Sequence, residues 1–478
     1  KNLCDQTYDR LRTDLFDRDS HHYRMVKEDK QMADSIRKGM LLSKKPILLI
    51  PILKHYTHID ALTKVCKTEV FKNALKGETV IIIDDEADQA SLNNYGYQNS
   101  KTGEFKMSRT YESILKLRLA LPGHSYVQYT ATPQAQILIS IDDILSPKSH
   151  TVLSPGAAYT GGKLFFKNEP ANIVGGSLIK KIPNDEAYHV RNNDLDKMPP
   201  SLHEALWFHV MTTAILVHLQ EKIQYLSMMV HPDNPVKSSA KFRDWVKDEL
   251  ERYSKYLLKP EGHDSRRRII TELKDKIYPE VIKYMYKDEI PPFDDVLPFL
   301  SDAINDCQLH FVNSKKDGEK EIDWSLGSMH ILFGAQLLNR GFTINNLSTT
   351  YMPRHTVGVA TADTIEQRCR FFGYKMKYIK SCRVYLPEQS ITNYVDYVDN
   401  EEELRTILKN SDTLKEAGHA LMSSPNLQQC RKNVLPSDLV KTTMDGNCKM
   451  EAFDNPDVIQ HNNSVAAAFV KKLEKEKN

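Results

Sequence analysis

Apolar residues in this chain fall into short unbroken runs, each stopped by polar or turn-forming residues. The sharpest is Thr79-Val80-Ile81-Ile82-Ile83, which ends on the carboxylate block Asp84-Asp85-Glu86-Ala87-Asp88. Such a run predicts a strand buried on both faces, as in parallel sheets. Ile47 to Leu53, Tyr126 to Tyr129, Ser227 to His231, Leu309 to Asn313, His330 to Phe333, Ser348 to Tyr351 and Arg383 to Leu386 read as further strands. Helical spacing is read over Tyr8–Leu15, Ile59–Leu75, Ser108–Leu121, Ser201–Leu219 (capped by Ser201), Lys237–Leu258 and Ser265–Tyr286. Pro291 to Ile304 reads as a connector and short helix. Strands alternating with helices predict an α/β fold of two parallel-sheet lobes with helical insertions. The first lobe is expected over 1–150 and the second over 201–395. The Gly- and Pro-rich stretch 151–200 reads as irregular hairpins and a linker, and 396–478 as a helical tail.

In open α/β sheets ligands sit just beyond the carboxyl ends of the strands. The carboxylate block would therefore lie where a nucleotide binds, which is the Walker B arrangement. Asp85 is assigned to Mg²⁺ and Glu86 to the attacking water. The competing reading is a strand that ends in an acidic, solvated turn. Tyr126-Val127-Gln128-Tyr129 runs into Thr130-Ala131-Thr132-Pro133. Thr130 and Thr132 can hydrogen-bond the carboxylates of the neighbouring strand and sense a bound phosphate, and with Asp88 they are assigned to coupling. A plain threonine-rich turn is the alternative. Further on, Asp363 or Thr364 can cap a helix that carries Gln367 and Arg370 one turn apart, hence on one face. An Arg so presented suits a finger that neutralises γ-phosphate charge held by the other lobe. The alternative is a surface Arg beside an aromatic core patch at Phe371 and Phe372.

Composition narrows the class little. The 478 residues are 40% hydrophobic and 27% charged, with a net charge of +2, so any nucleic-acid surface must be local. Arg266-Arg267-Arg268 is the most basic spot; phosphate contact there is set against a solvated helix face. No apolar stretch is long enough to span a bilayer, and Lys1 to Asp19 is too polar for a signal peptide. Seven scattered cysteines with no C-x-x-C argue for a reducing compartment and against a zinc ribbon. His55 and His58 form an H-x-x-H without a partner set, which reads as solvated or capping. A cytoplasmic protein is expected, or a nuclear one in a eukaryote.

The acidic strand and then Y-T-A-T-P resemble motifs II and III of superfamily-two helicases and translocases. With N-R-G-F-T at Asn339–Thr343 and D-T-I-E-Q-R-C-R-F-F-G-Y-K at Asp363–Lys375, the chain resembles the Z-one domain family over roughly Asn2 to Asp396. These are helicase-like ATPases labelled as endonucleases and met in restriction and phage-defence settings. The resemblance implies two RecA-like lobes, ATP and Mg²⁺ as cofactors, and nucleic acid as partner, DNA ahead of RNA, with no membrane. A nuclease or methyltransferase subunit would be a further partner. It also implies that Arg340, Gly341 and Thr343 link ATP state to nucleic acid. Gln6 and Thr7, in the motif Ia segment N-L-C-D-Q-T, would border the nucleic-acid track. His231 and Ser314 would fall beside it on the second lobe. The family pattern has Met, Gly and a final Arg where this chain has Arg368, Cys369 and Lys375. Arg370 is then the finger, with Lys375 or Arg368 as substitutes.

The superfamily's phosphate loop is not in this sequence. Gly161-Gly162-Lys163 lacks the G-x-x-x-x-G-K-[ST] spacing and the following hydroxyl. Truncation upstream, favoured by the initial Lys1, and a degenerate ATPase are the two explanations. The function expected is a nucleic-acid-dependent ATPase of helicase or translocase type. The alternatives are an endonuclease or endonuclease subunit, for which Asp317-Gly318-Glu319-Lys320 and Pro436-Ser437-Asp438 are only fragments of a motif, and a non-hydrolysing nucleic-acid-binding module.

Overall fold

The computed structural model describes residues 2–413 apart from 29, 43, 122, 140–142, 172, 175, 233–235, 284–289, 313–321, 335–342, 355–359, 362–364 and 366–367, and then residues 427–428 and 432–434. The strands of the first region are β1 (Tyr23–Met25), β2 (Ile47–Leu49), β3 (Val80–Asp84) and β4 (His124–Gln128). They form two parallel pairs, β1 with β2 and β3 with β4. β2 stops at Leu49 rather than Leu53 because Pro51 cannot donate to a ladder. The predicted helix over 59–75 is two helices, Tyr56–Cys66 and Glu69–Ala74. Thr68 divides them: its hydroxyl accepts from the Phe71 amide as the second helix's cap.

The acidic strand departs from expectation. One face, Val80 and Ile82, packs with Tyr126 against Ile114 and Leu117 of the helix Arg109–Ala120. The other face is open: Ile81 is 61% and Ile83 67% exposed. The register explains this, since Ile81 lies opposite Ser125 and Ile83 opposite Val127, all on the side away from that helix. An unbroken apolar run was read as two buried faces, but only one is covered among the described residues.

The remaining strands are β5 (Ile179–Ile182), β6 (Leu226–Val230), β7 (Cys307–Val312), β8 (Met329–Gly334), β9 (Leu347–Tyr351), β10 (Ala360–Thr361), β11 (Arg383–Pro387) and β12 (Leu427–Gln428). Six of them make one sheet in the order β5-β11-β9-β6-β8-β7, and every pairing is parallel. β10 pairs with β12. Strands β6, β8, β9 and β11 are buried at every position, including the hydroxyl-bearing Ser348, Thr349 and Thr350 of β9 and Arg383 of β11. Met228, Ile331, Phe333 and Tyr351 face one cluster, with the helices Pro200–Thr213, Val236–Leu257 and Phe293–Asn305. Met229, Leu332, Val384 and Leu386 face the other, with Leu164, Phe371 and Tyr394.

Two boundaries move. The stretch read as hairpins and linker supplies β5, an edge strand of the large sheet, and the helices Gly162–Lys167 and Asn184–Asn192. Gly162 is a packing glycine: a Cβ there would lie 2.3 Å from a methyl of Val398. The helix read over 201–219 begins at Pro200, so Ser201 is not its cap. Its hydroxyl donates to Glu186 (2.6 Å) and meets the Tyr351 hydroxyl (2.8 Å).

A histidine set lies at this sheet: buried His330 on β8, half-buried His310 on β7, and buried His209 on the helix Pro200–Thr213. His330 Nε2 faces the Trp324 and Gly327 carbonyls at 3.2 Å, so it carries the proton and donates. His330 Nδ1 is then the acceptor for His310 Nε2 at 3.0 Å. Burial lowers His310 to about 4 and the fully buried His209 to about 3, and lowers His330 as well. The unfolded chain titrates these groups near 6.5. Between about 6.5 and about 4 the unfolded state binds more protons, so stability falls as pH falls. The melting temperature should drop progressively across that window. His310→Gln, which keeps a donor for His330, should flatten part of the slope; an unchanged pH profile in that variant contradicts the assignment.

Candidate functional site

Parallel pairing of β3 with β4, from Val80 opposite His124 to Asp84 opposite Gln128, brings two exit turns side by side. The backbone ties them together: the Tyr129 amide donates to the Asp84 carbonyl (2.8 Å) and the Ala87 amide to the Tyr129 carbonyl (3.0 Å). Asp84 is buried, and its carboxylate accepts from the Tyr126 hydroxyl at 2.5 Å. Burial and the Asp84 charge together push the Tyr126 phenol far above its ordinary range. Asp85 and Glu86 are exposed, and the Glu86 amide donates to the Asp85 carboxylate at 3.1 Å.

Glu86 holds φ at +52°, the left-handed region that costs a non-glycine residue on the order of 1 kcal/mol or more. Such conformations persist where the surroundings over-determine them, and they cluster at functional sites. Here the turn reverses the chain immediately after Asp84, so Ala87, Asp88 and Gln89 fold back inside while the Asp85 and Glu86 side chains stay outside.

Asp88 is buried and reads out the second turn. Thr130 Oγ1 donates to its carboxylate at 2.9 Å, and Gln89 Nε2 donates at 2.7 Å. The Thr132 amide donates to Thr130 Oγ1 at 3.0 Å, which fixes the rotor. The contact expected between the threonine turn and the carboxylates is present, through Asp88.

Sequence reasoning missed Lys54. It lies in the loop between β2 and the helix Tyr56–Cys66. Its ammonium donates to Asp84 Oδ1 (2.9 Å) and to the carbonyls of Asp85 (2.5 Å) and Glu86 (2.7 Å). The signal was there: a lone cation just past the carboxyl end of an apolar strand, on the side where the carboxylates project. His55 starts the helix and bonds Thr57 without capping it through its side chain, and His58 is half-buried and paired with Glu28, a partner the sequence reading did not give it.

In the large sheet, His231 follows β6, is buried, and its amide donates to the Tyr351 carbonyl at 2.9 Å. Arg354 leaves the carboxyl end of β9 and is half-buried. Burial, and then the guanidiniums of Arg191 and Arg368, hold its pKa below the usual value. Arg354 is a second residue that sequence reasoning passed over. Arg370 is half-buried next to Phe371, and Phe371 is buried against Phe165, Phe166 and Tyr394. The aromatic core patch of the second reading is present, and Arg370 sits beside it in a turn rather than on a helix face. Gly373 pairs its backbone with Thr160.

Lys375 is not where a phosphate-contacting role needs it. It is buried, its ammonium donates to the carbonyl of Leu347, and burial lowers its pKa to about 8. Leu347 begins β9, so Lys375 sits at the amino edge of the sheet, opposite Arg354. Gln6 and Thr7 lie within the helix Asn2–Leu11 rather than ahead of it, Gln6 half-buried and Thr7 exposed. Thr343 is exposed on the approach to β9. Ser314, Arg340, Gly341 and Gln367 lie outside the described residues, as do the nuclease-like fragments at 317–320 and 436–438. Arg266 and Arg267 donate to the Lys259 and Gly262 carbonyls, which occupies two of the three arginines as loop braces. Among the described residues no group of three or more His, Cys, Asp or Glu is arranged to hold a metal. No helix among them is long and apolar enough to cross a membrane.

Thr130→Val keeps the side chain's shape and removes the donor to a buried carboxylate. Hydrogen bonds to charged groups are worth about 1.5–3 kcal/mol, so a loss of roughly 2 kcal/mol is expected in urea unfolding. A loss below about 0.5 kcal/mol would mean that Asp88 does not depend on this contact.

No curated protein matches the chain. The acidic turn and the threonine turn lie ahead of the one stretch that a family model covers. That stretch begins with the helix Pro200–Thr213 and takes in β6 to β12 and the R-F-F-G-Y block. Residues 201–427 match the model of the Z1 domain, which supports the Z1 family for this chain.

Proposed function

We propose that this protein is a nucleic-acid-dependent ATPase of helicase or translocase type, with a first RecA-like lobe around β3 and β4 and a second around the six-stranded sheet. The observation that carries the reading is the acidic turn itself. Two exposed carboxylates stand on a strained, over-determined turn, and that turn is hydrogen-bonded to the threonine turn of the adjacent parallel strand. A solvated acidic turn requires neither the strain nor the crosslink. The Z1 match supports the same reading for the second lobe.

Mg²⁺ and ATP fit this chemistry. Asp85 offers an exposed hard-oxygen donor, and the carbonyls of Asp85 and Glu86 already draw a cation, the Lys54 ammonium. Mg²⁺, when bound, supplies charge neutralisation on the phosphates. Asp85 holds the ion. Glu86 orients a water and takes its proton, with its backbone fixed by the turn. Asp88, Thr130 and Thr132 form a rigid bridge that feels any shift of the acidic turn. Arg370, or Arg368 and Arg354 beside it, stabilises negative charge from the second lobe. Nucleic acid, DNA ahead of RNA, is held through its phosphates, so binding is salt-sensitive and weakly sequence-specific.

The test is Glu86→Gln in the intact protein, assayed for ATP hydrolysis with and without DNA. General-base loss costs about 100-fold or more in kcat. We expect that loss with KM little changed and the melting temperature kept. Hydrolysis at the parent rate would remove Glu86 from the chemistry.

A further inference from the structure

We infer that Lys54 is a positioning residue: it sets the conformation of the acidic turn and so the placement of Asp85 and Glu86. The inference rests on the ATPase reading for its catalytic consequence, though not for its structural one. An ammonium has three donors, and each of the three has a named acceptor here, Asp84 Oδ1 and the carbonyls of Asp85 and Glu86. Those acceptors come from three consecutive residues. Along a β-strand consecutive carbonyls point to opposite sides, so one cation cannot collect them. The left-handed φ of Glu86 is the departure that lets its carbonyl join that of Asp85 on one side. Lys54 therefore rewards the conformation that the backbone alone disfavours. Without the ammonium, two carbonyls and a buried carboxylate would converge with no cation between them.

A simple counter-charge for Asp84 is the competing role. It accounts for the ion pair, in which the Asp84 side chain is only 4% exposed, but not for the two carbonyl contacts. Asp84 also has the Tyr126 hydroxyl on its other oxygen, so it is partly satisfied without the lysine. Lys54 comes from a different strand–loop–helix unit than the turn it holds. Its reach across from the exit of β2 ties the packing of that unit to the geometry of the carboxylates.

The experiment compares the intact parent with Lys54→Met, Lys54→Arg and the double variant Lys54→Met/Asp84→Asn. Amide hydrogen exchange is followed at Ala87 and Gln89, whose amides are bonded to Tyr129 and Glu86 carbonyls in the turn. Lys54→Met should raise exchange there by about tenfold while leaving the β6 amides unchanged. Lys54→Arg should recover part of the protection. The double variant should stay as unprotected as Lys54→Met. In the ATPase assay, kcat should fall in step with exchange, with KM little changed. Protection at the parent level in Lys54→Met, or its return in the double variant, overturns the inference and leaves a counter-charge only. Should Lys54→Met not fold, Lys54→Gln is read in the same way. A parent that hydrolyses no ATP defeats the functional reading while the exchange result still decides the role of Lys54.

Discussion

The parallel register of β3 and β4 is the constraint on which the candidate site depends. It sets Asp84 level with Gln128, so the chain leaves both strands at the same height. The Asp84 and Tyr129 backbones then bond, and Asp88 and Thr130 meet. A slip of one residue would reverse every side chain. It would place Ile82 and Val80 in the open and take Asp84 away from Tyr126. The carboxylates are functional candidates because of where this pairing ends.

A contiguous path of packed residues leads from the threonine turn to the large sheet. The helix Gln134–Leu138 follows Pro133 directly, and its Ile137 packs against Leu404 and Leu408. Those two leucines lie on the helix Glu388–Asn410, which begins where β11 ends. His150 reaches the Leu408 carbonyl at 2.7 Å, and Lys163 pairs with Glu402. The same helix lies against Gly162 and gives Tyr394 to the aromatic cluster around Phe371, next to Arg370. A rigid element thus touches the surroundings of both the threonine turn and the R-F-F-G-Y block.

Strands β6 and β8 of the large sheet were legible because burial on both faces leaves their runs mostly apolar, whereas β9 buries Ser348, Thr349 and Thr350 as well. Met228 to Val230 and Ile331 to Phe333 read alike in sequence and in space. The acidic strand carried the same signal, yet Ile81 and Ile83 are open. An apolar run states what a strand can bury and not what covers it. β5 was missed for the opposite reason: Ile179-Lys180-Lys181-Ile182 is short and half polar, as an edge strand is. Ser201 was read as a cap from residue type, but Pro200 starts the helix and the hydroxyl serves Glu186 and Tyr351 instead. Asp85, Glu86, Asp88 and Thr130 were legible because chain neighbours and one register place them. Lys54, about 30 residues ahead of its acceptors, and Arg354 become visible only when the fold joins distant segments. Lys375 was misread because spacing along a motif cannot say which edge of a sheet the side chain will reach.

The most direct measurement is the steady-state rate of ATP hydrolysis by the intact protein, with and without single- and double-stranded DNA, across a salt series. The motor reading predicts hydrolysis that DNA stimulates, with the stimulation weakening as salt rises because phosphate contacts carry the binding. Hydrolysis that is absent under every condition, while DNA still binds, would contradict it and leave a binding module whose carboxylates serve the turn alone.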